Sequence, residues 1–140
     1  MIRRYMLDTN QVSDIVRGRS LAARHRLERL RSDEMACISA ITEAELLYGV
    51  AKTPLATALK ASLDDLLLRL QILPWDHFES VVYGRLRARQ ESLGKTLESM
   101  DLLIASHAIA TDSILVSRDK VFAHVNDLPG LVNWSTDFAS

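Results

Sequence analysis

Short apolar segments alternate with longer segments of helical spacing along this chain, and this alternation limits its fold more than any other feature. The predicted strands are residues 4–7 "RYML", 35–39 "MACIS", 71–73 "QIL", 113–117 "SILVS" and 130–134 "GLVNW". Strands that are joined through helices pair in parallel, because the chain must cross back over the sheet. The pattern therefore predicts an α/β protein, a three-layer α/β/α sandwich with a mainly parallel central sheet.

The intervening segments predict helices, which cover residues 21–31, 40–50, 55–70, 76–90 and 99–111. The third helix carries a broad apolar stripe, which suits either the intramolecular core or a homodimer interface. Its members are Leu55, Leu59, Leu63, Leu66, Leu67 and Leu70. In the first helix, Leu21, Leu27 and Leu30 are candidate buried residues. In the fourth, the Asp-x-x-Glu pattern of Asp76 and Glu79 predicts a structural capping box.

Size and composition place the chain among ordinary globular proteins. A length of 140 residues, 48% of them hydrophobic and 25% charged, predicts one domain over residues 1–140 with a substantial core. Cys37 has no second cysteine to pair with, so we expect it to be a small core residue. The chain shows neither the pattern of a signal peptide nor an apolar run of the roughly 18 residues that a membrane span needs. We therefore expect a soluble, cytoplasmic protein.

The segment "YMLDTN", residues 5–10, ends an apolar strand on a carboxylate. An ionised Asp8 at this position is costly unless it is solvated, hydrogen-bonded, paired or bound to a metal. It could cap a helix over the following "QVSDIVRG", or it could belong to a ligand site, since open α/β sheets bind ligands at the carboxyl ends of their strands. Polar residues also end two other predicted strands, at Ser39 and at residues 117–119. In a parallel sheet these ends share one edge, so we expect the three groups to converge there.

Two carboxylates on predicted helices could join this edge. Glu45 lies inside the apolar sequence "AELLYG", where an acid is costly without a function. Asp101 opens the apolar helix "DLLIASHAIA", where its charge would also be favourable simply because it lies at a helix N-terminus. The residues alone leave both interpretations of Asp101 open.

Basic residues are concentrated in two segments, although the formal net charge is only -1. Residues 17–31 contain six arginines and one acid, and residues 85–95 contain three arginines and a lysine against Glu91 alone. These segments could be ordinary solvated helix faces. They could equally form two rims that contact phosphate groups and position a nucleic acid without reading its sequence.

In their order and spacing, several motifs resemble the PIN-domain ribonucleases, and specifically the VapC toxins of bacterial toxin-antitoxin pairs. The motifs are "YMLDTN", "CISAITEAELLYG", "GKTLESMDLLIASHAIA", "LVSRD" with "VFAHV" after it, and "LPGLVNW". The resemblance extends over nearly the whole chain and implies a PIN-like fold. It also implies the site residues of the family. The acidic quartet would be Asp8, Glu45, Asp101 and Asp119, and the supporting polar residues would be Asn10 and Ser117.

A few positions within the resemblance need a separate argument. Glu43 and Glu45 both lie near the expected glutamate, but the family's acid directly precedes the apolar pair before Tyr-Gly, which is Glu45 here. We therefore expect Glu43 to be exposed. The family often has Thr-Asn before its last acid, whereas this chain has Ser117 and Arg118, and the family often has a small residue where Glu98 stands. Arg118 thus places a cation beside the acidic cluster.

The resemblance implies an endoribonuclease that hydrolyses RNA phosphodiester bonds. Carboxylates that converge within a few ångströms raise one another's pKa, and a divalent cation removes this conflict. An oxygen-only ligand set, without histidine and cysteine at zinc spacing, favours Mg²⁺ or Mn²⁺ over zinc. By the same resemblance the substrate would be structured RNA, often transfer or ribosomal RNA. A VapB-type antitoxin would neutralise the enzyme by laying its tail across a hydrophobic groove among the N-terminal helices.

Two other functions compete with this interpretation. A catalytically idle PIN-like module would bind RNA or protein through its basic segments, and metal-dependent cleavage would exclude it. A haloacid-dehalogenase-like phosphotransferase also places an aspartate at a strand end, but it needs a second aspartate two residues later, where this chain has Asn10. A phosphoryl group trapped on Asp8 would identify that enzyme.

Overall fold

The computed structural model describes residues 1–136, and the strands at its centre form one five-stranded sheet. The strands are β1 (Arg3–Leu7), β2 (Glu34–Ser39), β3 (Gln71–Leu73), β4 (Ile114–Val116) and β5 (Leu131–Val132). Their order across the sheet is β3-β2-β1-β4-β5, and every neighbouring pair is parallel. The predicted strands and their parallel pairing are confirmed, so the carboxyl ends of the strands lie along one edge of the sheet.

Helices connect the strands and cover the sheet. They are α1 (Thr9–Val16), α2 (Leu21–Glu28), α3 (Ala40–Ala51), α4 (Thr57–Leu67), α5 (His77–Ser92) and α6 (Ser99–Ala110), followed by a short 3₁₀ helix at Lys120–His124. The predicted helices correspond to α2 through α6. Asp76 and Glu79 form the predicted capping box at the start of α5, which confirms their structural role.

The sheet is buried on both faces because successive residues of a strand point to opposite sides. In β1, Tyr5 and Leu7 belong to an apolar cluster with α1 through α4, whereas Met6 belongs to a second cluster with α5 and α6. A parallel sheet that is covered on both faces requires nearly continuous apolar strands, which is the pattern of residues 4–7. The predicted three-layer α/β/α sandwich is therefore confirmed.

The apolar stripe predicted for residues 55–70 is shorter than expected. Leu55 is 99% exposed, because the backbone adopts a positive φ of 54° there and α4 begins only at Thr57. Leu63, Leu66 and Leu70 are buried in the cluster that covers the first face of the sheet. These three leucines therefore belong to the intramolecular core.

The other candidate core residues are buried or pack against the core as predicted, except for Leu21. Leu27 is buried and Leu30 packs against the same cluster, as predicted, but Leu21 is 67% exposed because it begins α2 on the side away from Ala23 and Leu27. Cys37 is fully buried, and burial raises the pKa of its thiol to about 12, which makes it an inert core residue. Within residues 1–136, no helix combines the length and the apolar character that crossing a bilayer requires.

Candidate active site

Asp8 follows β1 directly and is only 5% exposed. It is the N-cap of α1, where its Oδ1 accepts a hydrogen bond of 2.8 Å from the backbone N–H of Gln11. Its Oδ2 accepts a second hydrogen bond of 2.5 Å from the hydroxyl of Ser117, which follows β4. The capping interpretation is correct, but capping occupies one oxygen, and the other is fixed by a neighbouring strand end.

The environment of Asp8 opposes the charge that a carboxylate carries. Burial raises the pKa of the Asp8 carboxyl above its usual value, and the hydrogen bonds from Ser117 and Gln11 partly offset this rise. The negative charge of Asp101 raises the pKa of Asp8 further. The charges of the two aspartates therefore interact.

Asp101 lies in the first turn of α6 and is half-buried. Partial burial raises the pKa of Asp101, and the negative charges of Asp119 and Glu98 raise it further. The N-terminus of α6 favours a carboxylate at this position. The favourable helix terminus nevertheless does not cancel the repulsion between Asp101 and the neighbouring acids. Glu98 contributes to this repulsion, at a position where the PIN-domain ribonucleases often have a small residue.

Ser117 connects the first and last acids of the candidate site. Its hydroxyl donates to Asp8 and accepts a hydrogen bond of 3.0 Å from the backbone N–H of Asp119. Asp119 is exposed and caps the 3₁₀ helix, with its Oδ1 accepting a hydrogen bond of 3.0 Å from the backbone N–H of Val121. One serine thus fixes both the orientation of Asp8 and the start of the segment that carries Asp119.

Glu45 is half-buried on α3 and lines a groove of about 130 Å³ between α1, α3 and α4. Asn10, which is exposed on α1, and Arg17 line the same groove. A hydrogen bond of 3.4 Å between the hydroxyls of Thr9 and Thr42 joins α1 to α3 beside it. Glu45 and Asn10 therefore line the same groove. Asn10 belongs to α1, whose N-cap is Asp8.

Two expectations about the start of α3 are wrong. Ser39 ends β2, but its hydroxyl contacts Nδ1 of His107 at 2.7 Å and caps α3 through the backbone N–H of Ile41. It is fully buried and does not join the acidic edge. Glu43 is half-buried rather than exposed, because α3 packs against both α1 and α6. Of the polar groups predicted at strand ends, those at Asp8 and at residues 117–119 converge.

Comparison with known proteins assigns this arrangement to a family. The family model described as PIN domain matches residues 5–128, which include the acids and polar residues discussed above. This chain belongs to the PIN-domain family. Among its relatives, Ribonuclease VapC2 of Rickettsia felis is 37% identical to this PIN domain over 131 residues, which cover 93% of this chain and 97% of that protein. Ribonuclease VapC2 of Haemophilus influenzae is 35% identical over 116 residues, covering 83% of this chain and 86% of that protein.

A solved structure extends this likeness to the backbone. The crystal structure of VapBC2 from Rickettsia felis, bound to a DNA fragment from their promoter, contains a chain that superposes with a TM-score of 0.87 at 36% identity. The superposition covers 94% of this PIN domain and 98% of that chain. Together with the two relatives, this match places the PIN domain in the VapC branch of its family.

Asp14 of the PIN domain was not among the site residues predicted from the sequence. This residue is buried on α1, and its Oδ2 accepts a hydrogen bond of 2.8 Å from Nε of Arg118. Asp8, Gln11 and Asp14 recur every three residues and therefore lie along one side of the helix and its cap. That spacing was the signal that could have identified Asp14 as the partner of a cation beside the site.

The donor set of the PIN domain fits a hard divalent cation. The carboxylates of Asp8 and Asp101 are oxygen donors whose repulsion a bound cation would relieve. In the described residues, no three or more His, Cys, Asp and Glu side chains are grouped closely enough to hold a metal by themselves. A pair of carboxylates completed by water nevertheless suits Mg²⁺, which keeps several of its waters. Glu45 and Asp119 stay predictions as additional ligands.

Proposed function

We propose that this protein is a metal-dependent endoribonuclease toxin of the VapC type, which hydrolyses RNA phosphodiester bonds and which a VapB-type antitoxin neutralises. The observation that carries the proposal is Asp8, a buried carboxylate that two hydrogen bonds fix and that meets the charge of Asp101. Capping alone does not account for this arrangement, because capping uses only one oxygen. The relatives in Rickettsia felis and Haemophilus influenzae are named ribonucleases, which supports the reaction class.

Asp8 and Asp101 are the residues that would hold Mg²⁺ or Mn²⁺ in this proposal. When bound, the cation lowers the pKa of the attacking water and neutralises charge on the phosphate oxygens. Ser117 keeps Asp8 oriented and favours its ionised form, because the serine hydroxyl donates to the carboxylate. The backbone N–H of Gln11 does the same at the other oxygen. The carboxylate is thus set in place before substrate binds, which is the arrangement that favours electrostatic catalysis.

Glu45 and Asp119 would act beside this pair. We propose that Glu45, which is half-buried at the groove, orients the attacking water or contributes a further oxygen ligand through water. Asp119 is exposed and adds its negative charge at Asp101, so it is suited to a second ligand position. Neither side chain is as firmly held by described hydrogen bonds as Asp8.

Cleavage of total RNA by purified, antitoxin-free protein tests the enzyme. We expect discrete fragments with Mg²⁺ or Mn²⁺ and none with EDTA. Asp8→Asn and Asp101→Asn each replace a negatively charged oxygen ligand for the cation by a neutral amide of nearly the same shape. Each should lower the cleavage rate about a thousandfold. The matched control is Asp112→Asn, an exposed residue after α6 with a positive φ of 52°, which asparagine tolerates. This control should retain the wild-type rate.

The opposite outcomes point to the competing functions. If folded, metal-supplied wild-type protein leaves total RNA intact, the nuclease is contradicted and the idle binding module is favoured. Equal cleavage by wild type and Asp8→Asn would mean that the activity comes from a contaminant. The match to the PIN family removes the basis for a haloacid-dehalogenase-like enzyme.

The substrate class and the oligomeric state form a finer part of the proposal. Family resemblance favours structured RNA, either transfer or ribosomal RNA, and mapping the fragment ends would identify which. We also propose a homodimer, with Leu55 and Leu68, which flank the two ends of α4 and are 99% and 86% exposed, as candidate contacts. Light scattering should then give twice the mass of one chain, and the mass of one chain would contradict the dimer.

We further propose that the antitoxin tail occupies the groove between α1, α3 and α4. The floor of the groove is apolar and consists of Val16, Leu46, Val50, Leu59 and Leu63. Apolar side chains of the tail would cover this floor, and a basic side chain would pair with Glu45 and approach the acidic edge. The groove thereby offers both the contact area and the charge that a neutralising segment needs.

Co-purification with a co-expressed VapB-type antitoxin tests this part. Leu59→Lys places a charge on the apolar floor and should weaken the complex at least about tenfold, because an unpaired ammonium resists burial. Lys60→Ala is the matched control, since Lys60 is exposed in the next position and pairs with Asp64 on its own helix. Retention of the complex by Leu59→Lys would place the antitoxin elsewhere.

A further inference from the structure

A second opening lies next to the acidic edge, on a different side of α1 from the groove. It is a cleft of about 450 Å³ between α1, the N-terminus of α2, Arg118 and Ser135. Arg19 and Asp14 also line it. The proposed cleavage chemistry uses none of these side chains, and two of them are cations.

Arg118 connects this cleft to the site. Its Nε donates to Asp14 at 2.8 Å, while half of its side chain stays exposed. The positive charge of Arg118 also acts at Asp8 and Asp119. The guanidinium therefore lies between the acidic edge and the cleft, with donors left for another acceptor.

Arg19 supplies a second cation to the lining of the cleft. Gly18 adopts a positive φ of 71°, a conformation that glycine tolerates, and this turn brings the backbone N–H of Arg19 to 2.7 Å from the carbonyl oxygen of Asp14. The backbone of Arg19 is thus fixed against α1 while its side chain is exposed at the cleft. Two arginines against one carboxylate leave the cleft with a net positive charge, and the N-terminus of α2 favours an anion there as well.

Several other arginines of the two basic segments pair with acids elsewhere in the fold. Arg26 donates to Glu34 through hydrogen bonds of 3.1 and 2.7 Å. Arg31, Arg87 and Arg89 each lie within ion-pair distance of a surface acid. These residues match the interpretation of the basic segments as solvated helix faces. Arg19, from the first of these segments, instead lines the cleft together with Arg118.

We propose that this cleft binds a phosphate group of the RNA backbone next to the cleaved bond, with Arg19 and Arg118 as donors and Asp14 as the residue that positions Arg118. The inference rests on the proposed function for the identity of the substrate. Arginine forks match phosphate oxygens, and such contacts position RNA without reading its bases. A backbone phosphate is favoured over free phosphate because Arg118 borders both the cleft and the acidic edge, so one strand of RNA spans them.

Binding of a short fluorescein-labelled oligouridine to metal-free protein, followed by anisotropy over a range of salt concentrations, tests this inference. Arg19→Ala and Arg118→Ala should each weaken binding about fivefold, because each removes a charge-assisted phosphate contact. Each should also lower the slope of log affinity against log salt by about 0.7. Arg3→Ala is the matched control, because Arg3 is exposed at the start of β1, at the opposite edge of the sheet. It should change neither quantity.

Asp14→Asn separates a phosphate site from a merely structural ion pair. The amide keeps the shape and an oxygen for Arg118 but removes the negative charge, so RNA binding should tighten about twofold or more. A structural role for the pair predicts no tightening in Asp14→Asn. Unchanged binding and salt slope in folded Arg19→Ala and Arg118→Ala would overturn the inference, and so would a failure of Asp14→Asn to tighten binding.

Two further readouts identify the ligand and keep the proposals separate. If inorganic phosphate displaces the oligouridine at equal concentration of phosphate groups, the cleft is a free-phosphate site and the RNA assignment is wrong. Because binding is measured without metal or cleavage, it can succeed even if the nuclease proposal fails. If the wild type cleaves RNA but the arginine variants bind and cleave RNA normally, the proposed nuclease activity is supported and the proposed phosphate site in the cleft is contradicted.

Discussion

The two ends of the central strands hold carboxylates in opposite circumstances. At the amino end, Glu34 accepts two hydrogen bonds from Arg26 and one of 3.1 Å from the hydroxyl of Tyr5. At the carboxyl end, Asp8 accepts hydrogen bonds from two neutral groups, the N–H of Gln11 and the hydroxyl of Ser117, and faces the negative charge of Asp101. Hydrogen bonds from Arg26 lower the pKa of Glu34 to about 2, whereas burial raises the pKa of Asp8.

The charge of Glu34 therefore stabilises the fold, whereas the charge of Asp8 does not. The ionised form of Glu34 is favoured by folding, and the ionised forms of Asp8 and Asp101 are disfavoured by it. Proteins keep unfavourable charges of the second kind mainly at functional sites. Substitutions at the amino end should therefore change stability, and substitutions at the carboxyl end should change activity.

After the losses of cleavage expected for Asp8→Asn and Asp101→Asn, the largest effect in this comparison is expected from Ser117→Ala. Without the serine hydroxyl, Oδ2 of Asp8 loses its donor, and the pKa of Asp8 rises further. The RNA cleavage rate at neutral pH should fall about tenfold, and the acid limb of the pH–rate profile should move to higher pH. Ser113→Ala, the same change just before the other end of β4, should leave that profile in place. An unmoved profile in Ser117→Ala would show that the hydroxyl does not tune Asp8.

Glu34→Ala should act on stability and leave cleavage unchanged. The variant removes the acceptor for Arg26 and Tyr5, but 27% of the Arg26 side chain is exposed and solvent screens part of the pair. We expect the free energy of unfolding in urea to fall by about 1 to 2 kcal/mol. Asp33→Ala, in the exposed neighbouring pair with Arg31, should have almost no effect. A loss of cleavage in folded Glu34→Ala would contradict the division between the two ends.

The pH dependence of stability should show both ends with opposite signs. The pKa of Glu34 falls from 4.5 to about 2 on folding, so its contribution is complete above about 4.5 and is lost as the pH falls toward 2. The raised pKa values of Asp8 and Asp101 make the folded protein take up protons first, so stability should increase as the pH falls from neutral through their titration. Urea unfolding of metal-free protein should therefore show a maximum on the mildly acidic side. Glu34→Ala should flatten the acid limb, and Asp8→Asn should remove part of the rise.

The smallest expected effect is a gain in stability from Asp101→Asn. Removing a half-buried charge that Asp119 and Glu98 repel should raise the melting temperature of metal-free protein by about 2 °C. Added Mg²⁺ should stabilise the wild type and have less effect on this variant, because a ligand stabilises only the state that binds it. Asp112→Asn should respond to Mg²⁺ as the wild type does. A lower melting temperature in Asp101→Asn would mean that favourable contact with the helix terminus exceeds the repulsion.

The parts of the molecule that depend on local pattern could be predicted from sequence. The alternation of apolar and helical segments predicted the parallel sheet, and the polar residues after β1 and β4 predicted that Asp8 and Ser117 meet. The exposure of Leu55 could not be predicted, because the spacing of apolar residues does not indicate that the backbone turns there with a positive φ, before the helix begins.

Side-chain partners that are distant in sequence could not be predicted. Ser39 bonds to His107, 68 positions later, and this contact draws it away from the acidic edge. Asp14 bonds to Arg118, which is 104 positions away. The local sequence around Ser39 and around Asp14 would allow several partners for each. The packing of the helices on the sheet determines which partner each of them contacts.

The bond between Ser117 and Asp8 joins residues that are 109 positions apart. Because a ribosome synthesises the amino end first, Asp8 leaves it long before its hydroxyl donor exists. The strand that supplies this donor, β4, must then insert beside β1 at the centre of the finished sheet. An interrupted translation product that ends before residue 114 therefore lacks the assembled site, and any danger to the RNA of the cell that makes this protein begins only after β4 and Ser117 have been synthesised.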